Sequence, residues 1–245
     1  MADINDISQQ SLYGNRVPLE ASNKALTKCY FEMGIGLLIT TLASWFSATS
    51  GAYLKFVAST GIIGSILLML ATLGLTIAIN VGSVGRMKAS TARILFYVFS
   101  ALMGFTVSTI FLVYNIRTIF IAFTVSALFF FALSVYGITT KTDLGRLGPI
   151  LLIALLVLII AEFLVFFFIP NPKMILIMNA VAVLVFALMT AYDTQQAKKI
   201  LSLVAPQGEQ AVEKASINCA LSLYLDFLNL FLNLLRIFGS TSSND

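Results

Sequence analysis

Three carboxylates lie inside long apolar segments of the sequence: Asp193, Asp226 and Glu162. Acidic residues inside a membrane-spanning segment are costly and are commonly functional. Two carboxylates that lie close together in a medium of low dielectric constant cannot easily both ionise, so they share a proton. Carboxylate oxygens are also hard ligands for cations such as calcium. Asp193 and Asp226 are therefore candidates for a proton-sensitive cation site, and Glu162 is an additional intramembrane acid whose partner the sequence does not identify.

Asp226 belongs to a row of polar residues spaced three or four positions apart along the last apolar segment. At about 100° per residue they fall within an arc of about 80° on one helix face. Such a stripe cannot face lipid, where each unsatisfied polar group costs several kcal/mol. We predict that this helix is central or lines a wet cavity, with hydrogen-bonded helix packing as the alternative. The stripe consists of Asn218, Ser222, Asp226, Asn229, Asn233 and Arg236.

The elements that carry these residues are long apolar segments. The sequence is 59% hydrophobic and 11% charged, whereas soluble domains carry about 25% charged residues. Segments of about 20 apolar residues span the hydrocarbon core. We predict an all-α polytopic membrane protein, with a polar N-terminal tail (1–28), one transmembrane domain (29–239) and a short C-terminal tail (240–245). The seven predicted spans are 29–48, 57–80, 91–114, 118–138, 148–169, 174–195 and 216–238.

The basic residues are distributed unevenly between the two sides of these spans. Because cytoplasmic loops carry an excess of Lys and Arg, the side with eleven of them is predicted to be cytoplasmic. That assignment places the N-terminus inside and the C-terminus outside. The eleven are Arg16, Lys24, Lys28, Arg86, Lys88, Arg93, Lys141, Arg146, Lys198, Lys199 and Lys214, and the four on the other side are Lys55, Arg117, Lys173 and Arg236.

Composition also excludes several kinds of chemistry. The chain has no histidine, which excludes Ser–His and Cys–His nucleophilic pairs and histidine metal sites. Its two cysteines, Cys29 and Cys219, cannot form a zinc site alone, and their predicted cytoplasmic position favours reduced thiols. The net charge of +4 comes from loops on one side of the membrane and does not indicate nucleic-acid binding. We expect no cofactor.

Several segments resemble the Bax inhibitor family, the transmembrane Bax-inhibitor-motif proteins. They are 191–195 (AYDTQ), 220–239 (ALSLYLDFLNLFLNLLRIFG), 101–108 (ALMGFTVS) and 136–144 (YGITTKTDL). The C-terminal motif is long and specific, the resemblance covers roughly residues 25–239, and the compact length is similar to that of bacterial members.

The resemblance implies a seven-helix fold in which the other six helices surround the last one. It also implies a pH-sensitive calcium leak and, in animals, suppression of cell death. The acidic pair of the family corresponds to Asp193 and Asp226, which the resemblance makes the ion pathway, the pH sensor and candidate calcium ligands. An arginine latch on the second helix corresponds best to Arg86, although Arg86 lies at or beyond the end of that span. Glu162 does not match the family pattern.

Three other functions stay open from the sequence. A non-transporting regulator would bind other membrane proteins, and a proton-coupled transporter would use the same acids, although no matching pair of broken helices is evident. An intramembrane aspartyl protease would also place one Asp on each of two adjacent helices. Tyr192-Asp193 resembles the first protease motif, but the second requires Gly-x-Gly-Asp, and residues 223–226 read Leu-Tyr-Leu-Asp.

Three charges near predicted span ends also have simpler interpretations. Asp193 can be a solvated charge at a helix end, although a carboxylate at a helix C-terminus opposes the helix dipole and needs a compensating partner. Arg86 can be an anchor at the cytoplasmic surface. Glu32 is predicted to be a solvated charge at the end of its span.

Overall fold

The computed structural model describes the backbone of residues 4–84, 87–168 and 171–242, and the side chains of residues 23–82, 87–165, 167–168 and 171–240. Short 3-10 turns at Leu144–Leu147 and Ala205–Gln207 join some of the α-helices, and no strand occurs in these ranges. The helices are α1 (Ile4–Ser50), α2 (Ala52–Val84), α3 (Ala89–Val107), α4 (Ile110–Val113), α5 (Ile116–Thr139), α6 (Gly148–Phe168), α7 (Pro172–Val204) and α8 (Glu209–Ser242).

Seven stretches of these helices are long and apolar enough to cross a membrane, which confirms the predicted number of spans. The third span consists of α3 and α4 together, since the helix is interrupted at Ser108 and Thr109. Helix α1 begins before the predicted first span and includes much of the segment predicted as a polar tail. The chain is therefore an integral membrane protein with an all-helical fold.

The last two spans are longer than predicted. Helix α7 continues to Val204 and α8 already begins at Glu209, so only a short turn separates them, whereas the predicted spans ended at residue 195 and began at residue 216. Hydropathy detects only the part of a helix that crosses the hydrocarbon, whereas the polar residues of 196–204 and 209–215 extend both helices beyond it. The turn between them contains Gly208, whose positive φ of 98° is tolerated because glycine has no Cβ.

Helix α8 is the central helix, as its polar stripe predicted. In its most apolar 18-residue stretch 61% of the residues are buried, against 33% or less in every other span. It packs against α1, α2, α3, α5 and α7. Helix α6 differs from the arrangement implied by the resemblance, because it packs mainly on α7 and on the 144–147 turn rather than on α8.

Small residues let several helices approach closely. A Cβ on Gly104 would collide with the carbonyl oxygen of Thr40, so α3 can contact α1 there only because residue 104 lacks a side chain. Gly137 of α5 contacts the carbonyl of Ala191 on α7 in the same way. The hydroxyl of Ser47 donates to Ser108 over 3.0 Å and adds a polar contact between the first and third spans.

The two ends of the bundle differ in the number of basic residues that the described ranges place there. One end, called the basic end here, holds Lys28, Lys141, Lys198 and Lys199, together with the 140–147 segment and the α7–α8 turn. The opposite end holds the α1–α2 turn at Gly51, which has a positive φ of 66°.

Candidate functional site

The carboxyl groups of Asp193 on α7 and Asp226 on α8 lie within side-chain hydrogen-bonding range of each other. Asp226 is only 2% exposed, whereas Asp193 is half-buried. Helices α7 and α8 pack side by side, and this contact brings together two acids that are distant in sequence. Two carboxyl groups in such a position are favourable only when a proton or a cation lies between them.

A row of unpaired oxygens extends from this pair along α8. Among the described side chains, four buried polar atoms have no hydrogen-bond partner, and three of them are on the stripe: Asn218 Oδ1, Asp226 Oδ2 and Asn233 Oδ1. Asn218 lies about 12 Å from Asp226 along the helix axis, and Asn233 lies about 10 Å away in the other direction. Buried polar atoms are normally paired, so a row of acceptor oxygens without donors suits a cation or water.

Two polar cavities lie near the two ends of this row. The cavity at the basic end has a volume of about 350 Å³ and is bordered by Asp193, Asn218, Cys219 and Ser222. Asp193 is the only formally charged residue among the described residues that border it. The second cavity, of about 300 Å³, is at the opposite end and reaches Arg236. Asp226 and Asn233 border neither cavity and lie in the closed segment between them.

The amide groups of the stripe use their nitrogens within the helix. Asn229 Nδ2 donates to the carbonyl of Leu225, and Asn233 Nδ2 donates to the carbonyl of Asn229, both over 2.8 Å. The amide oxygens therefore point away from the helix backbone. No group of three or more Cys, Asp or Glu side chains in the described ranges could hold a metal ion. Since calcium takes six to eight oxygens, the described acidic side chains do not supply a complete coordination shell for a calcium ion.

Tyr224 fixes the rotation of α8 about its axis. Its ring is fully buried and contacts the edges or faces of Phe96 and Phe99 on α3. Its hydroxyl lies 2.7 Å from the hydroxyl of Thr40 on α1. Tyr224 and Asp226 are two residues apart and therefore face nearly opposite sides of the helix, at about 200°. Packing of Tyr224 against α1 and α3 thus turns Asp226 towards α7.

A cluster of paired charges holds the first, third and last spans together at the basic end. Arg93 Nε and the Tyr97 hydroxyl both donate to the carboxylate of Glu32, each over 2.7 Å. Glu32 is 4% exposed, so the prediction of a solvated end charge was wrong. The reason is that α3 places two donors next to α1, which sequence periodicity cannot show. Glu213 of α8 completes the cluster by binding Lys28 over 2.6 Å and approaching Arg93 Nη2 at 3.6 Å.

A second set of bonds anchors α7 at the basic end. The Gln195 side chain accepts from the backbone nitrogen of Leu144 and donates to the carbonyl of Thr142, each over 2.8 Å. Lys199 binds Asp143, and this hydrogen bond, with one from the backbone nitrogen of Gly145, lowers the pKa of the exposed Asp143 carboxyl. These contacts set the position of the α7 segment that carries Asp193.

The additional predicted acid, Glu162, is not brought to the acid pair. Glu162 is half-buried on the peripheral helix α6 and makes no hydrogen bond or ion pair with any residue that the structure describes. Arg86, the candidate latch, lies outside the described residues. Sequence reasoning missed the roles of Tyr224, Arg93, Tyr97 and Glu213. The run Arg93–Tyr97, with two polar side chains one helical turn apart, was a signal for a shared partner.

Comparison with known proteins matches this fold to one family. Residues 22–243 match the family model described as "Inhibitor of apoptosis-promoting Bax1". The chain is 38% identical to the Escherichia coli K12 inner membrane protein YbhL, over 88% of this chain and 91% of that protein. It is 37% identical to the Lactococcus lactis protein YrjE, over 91% of this chain and 93% of that protein. It is also 37% identical to a protein of Deinococcus radiodurans, over 95% of this chain and 97% of that protein. The chain belongs to the Bax inhibitor family.

Proposed function

We propose that this protein is a calcium-permeable leak channel whose conduction is set by protonation of the Asp193–Asp226 pair. The observation that carries the proposal is the row of unpaired oxygens on α8, which runs between cavities at the two ends of the bundle. Permeation requires binding that is strong enough for a cation to enter and weak enough for it to leave. Isolated oxygens spaced about 10 Å apart suit that requirement better than a closed set of ligands does.

The acid pair is the proposed control point. It lies where the basic-end cavity meets the closed segment, since Asp193 borders the cavity and Asp226 does not. When the two carboxyls share a proton they can bond to each other and hold α7 against α8. Loss of that proton leaves two like charges in contact, which repel each other and attract a cation. Repulsion between the two carboxylates opens a route between α7 and α8, and attraction of a cation lowers the energy barrier to its passage.

The proposed setting is a bacterial inner membrane with the basic end in the cytoplasm. The grouping of lysines at one end supports this orientation through the positive-inside rule, and the E. coli relative is itself called an inner membrane protein. Calcium and protons are the proposed ions, and the lipid bilayer is the partner. Reporter fusions at Asp245 and within residues 200–212 test the orientation, because the proposal requires them on opposite faces.

Protease chemistry is less well supported than permeation. An aspartyl protease needs both carboxyl groups to face the same water and substrate. Here Asp193 borders the basic-end cavity and Asp226 is enclosed. The second Asp also lacks the Gly-x-Gly context of that class. We therefore infer a non-enzymatic role.

The test is calcium flux into liposomes that contain the purified protein. Asn233→Leu replaces an unpaired oxygen of the closed segment with an apolar side chain and should reduce flux by about tenfold or more, since apolar constrictions exclude ions. Thr124→Leu is the matched control, because Thr124 is exposed on α5 and bonds only its own helix at Phe120. Flux through the control should equal that of the wild type.

Two results would contradict the proposal. If wild-type protein carries no calcium at any pH from about 5 to about 8, the fold serves instead as a regulator that binds other membrane proteins. If Asn233→Leu and Thr124→Leu conduct equally well, ions do not follow the stripe.

A further inference from the structure

The two cysteines of the chain meet between α1 and α8. The thiols of Cys29 and Cys219 are free, and they lie one helical turn from the bond that joins Ser216 to Ala25 across the same two helices. They are 190 residues apart in sequence, and both are buried, with 0% and 6% exposed. The chain contains only these two cysteines, so each is the other's only possible partner for an intramolecular disulfide.

The helices around this contact are close together. Ala25 and Cys29 on α1 face Ser216, Cys219 and Ala220 on α8, all of them small and buried. The hydroxyl of Ser216 donates to the carbonyl of Ala25 over 3.3 Å, and this bond sets the register of the two helices. Disulfides require Cα atoms within about 7 Å, and small interface residues allow helix backbones to approach closely.

One of the two thiols borders the basic-end cavity and the other does not. Cys219 lines that cavity with Asp193 and Ser222, whereas Cys29 is not among the lining residues. A small neutral molecule in the cavity can therefore reach the sulfur of Cys219 first. Redox-sensing cysteines commonly combine one accessible thiol with an adjacent resolving thiol.

We propose that Cys29 and Cys219 form a reversible oxidation site, in which the Cys219 sulfur attacks a peroxide that enters the cavity and Cys29 resolves the product. In the first step the Cys219 sulfur bonds to one peroxide oxygen, the O–O bond breaks, and the departing hydroxide leaves as water with the thiol proton. In the second step the Cys29 sulfur attacks the sulfenic acid, the S–O bond breaks, and a second water leaves. Two thiols lose two electrons, hydrogen peroxide gains them, and a disulfide links α1 to α8.

The bond would restrain the helix that carries Asp226. Cys219 precedes Asp226 by seven residues, two helical turns, on the same helix. A covalent link to α1 at that point limits any movement of α8 relative to α1 at the cavity wall. The chemical proposal stands independently of calcium permeation, because its measurements count thiols and not ions.

The experiment treats the reduced, purified protein in detergent micelles with hydrogen peroxide and then counts free thiols after unfolding in SDS. Wild type should fall from two free thiols to nearly none, recover both with dithiothreitol, and yield a cross-linked peptide pair containing residues 29 and 219. Cys29→Ser should accumulate a sulfenic acid at Cys219 that a dimedone reagent traps. Cys219→Ser, the matched control, should keep Cys29 reduced.

Three outcomes would overturn the proposal. The first is that wild type keeps both thiols at a peroxide concentration that oxidises the SDS-unfolded protein. The second is oxidation only to disulfide-linked dimers, visible on a non-reducing gel. The third is equal reactivity of Cys29 in Cys219→Ser and of Cys219 in Cys29→Ser, which would remove the assigned order. The wild-type peptide measurement stays decisive if either variant folds poorly.

Discussion

Two acidic clusters contact the central helix α8 from different sides, and they differ in how their oxygens are paired. In the cluster shared with α1 and α3, Glu32 accepts hydrogen bonds from Arg93 and Tyr97, and Glu213 forms an ion pair with Lys28. In the pair shared with α7, Asp226 faces another carboxyl and one of its oxygens has no partner among the described residues. Both clusters bury a carboxylate almost completely.

The difference separates a structural contact from a functional one. A buried carboxylate with two donors is stabilised and holds two helices together. A buried carboxylate without donors costs free energy, and such groups persist where they serve a function. The α1–α3–α8 side therefore acts as the fixed part of the bundle. Under the proposed function, the α7–α8 contact is the part whose stability depends on protons and cations.

The largest expected stability change comes from breaking the paired cluster. Glu32→Ala should lower the free energy of unfolding by about 2–3 kcal/mol. This is less than the roughly 3–5 kcal/mol for a fully buried ion pair, because Arg93 is partly exposed and still reaches Glu213. Thermal unfolding in detergent micelles measures the change. Glu209→Gln is the control, since Glu209 is exposed at the start of α8, and it should shift stability by less than about 0.5 kcal/mol.

Replacing the acid by its amide should change the free energy of unfolding in opposite directions in the two clusters. Glu32→Gln should destabilise the protein by about 1–2 kcal/mol, because it weakens charge-assisted hydrogen bonds. Asp226→Asn should stabilise it by about 1–2 kcal/mol, because it removes an unpaired buried carboxylate. Paired unfolding curves of the two variants test this at neutral pH. Destabilisation by Asp226→Asn would show that the carboxylate is as well paired as Glu32.

A packing effect of similar size is expected where α5 supports α7 near the acid pair. Gly137→Ala would press a methyl group against the carbonyl of Ala191 and should cost about 1–3 kcal/mol through overpacking. Gly34→Ala is the matched control in α1, where no atom lies within 4 Å of the added Cβ. It should leave stability unchanged or raise it by up to about 1 kcal/mol. Equal melting temperatures for the two variants would contradict the close α5–α7 contact.

The smallest effect is expected at the exposed Asp143–Lys199 pair. Because Lys199 lowers the folded-state pKa of Asp143, the carboxylate adds stability above its unfolded pKa, and that contribution is lost as the pH falls through the folded-state value. Asp143→Asn should therefore lower the melting temperature slightly at neutral pH and not at all in strong acid. Melting curves of wild type and Asp143→Asn from neutral to strongly acidic pH test this expectation. A difference in melting temperature that grows on acidification would contradict it.

Much of the fold could be predicted because its signals are local. Apolar length identified seven spans, and the spacing of polar residues on the last one identified the central helix. The Glu32 cluster could not be predicted. Arg93 and Tyr97 are 61 and 65 residues from Glu32 in sequence, and they meet it only because α1 packs on α3. The peripheral position of α6 depends on helix arrangement, although its span is more apolar than that of the buried helix α8.

In the candidate site, too, local features could be predicted from the sequence and features that depend on helix packing could not. The polarity of Asp226 in mid-span was visible in the sequence, whereas the unpaired state of its Oδ2 atom depends on which groups surround it. The anchoring role of Tyr224 was hidden because an aromatic residue in an apolar helix is ordinary. Only the contact with Thr40 shows that it sets the direction of Asp226.

The most direct test of the central claim is the pH profile of calcium flux into liposomes, from about pH 5 to about pH 8, for wild type, Asp193→Asn, Asp226→Asn and the double variant. The wild-type flux should change by about tenfold across this range, a barrier change of about 1.4 kcal/mol. Each single variant should have a flat profile, and the double variant should add little, because the two residues act as one unit. An unchanged pH profile in both single variants would show that the Asp193–Asp226 pair does not control conduction.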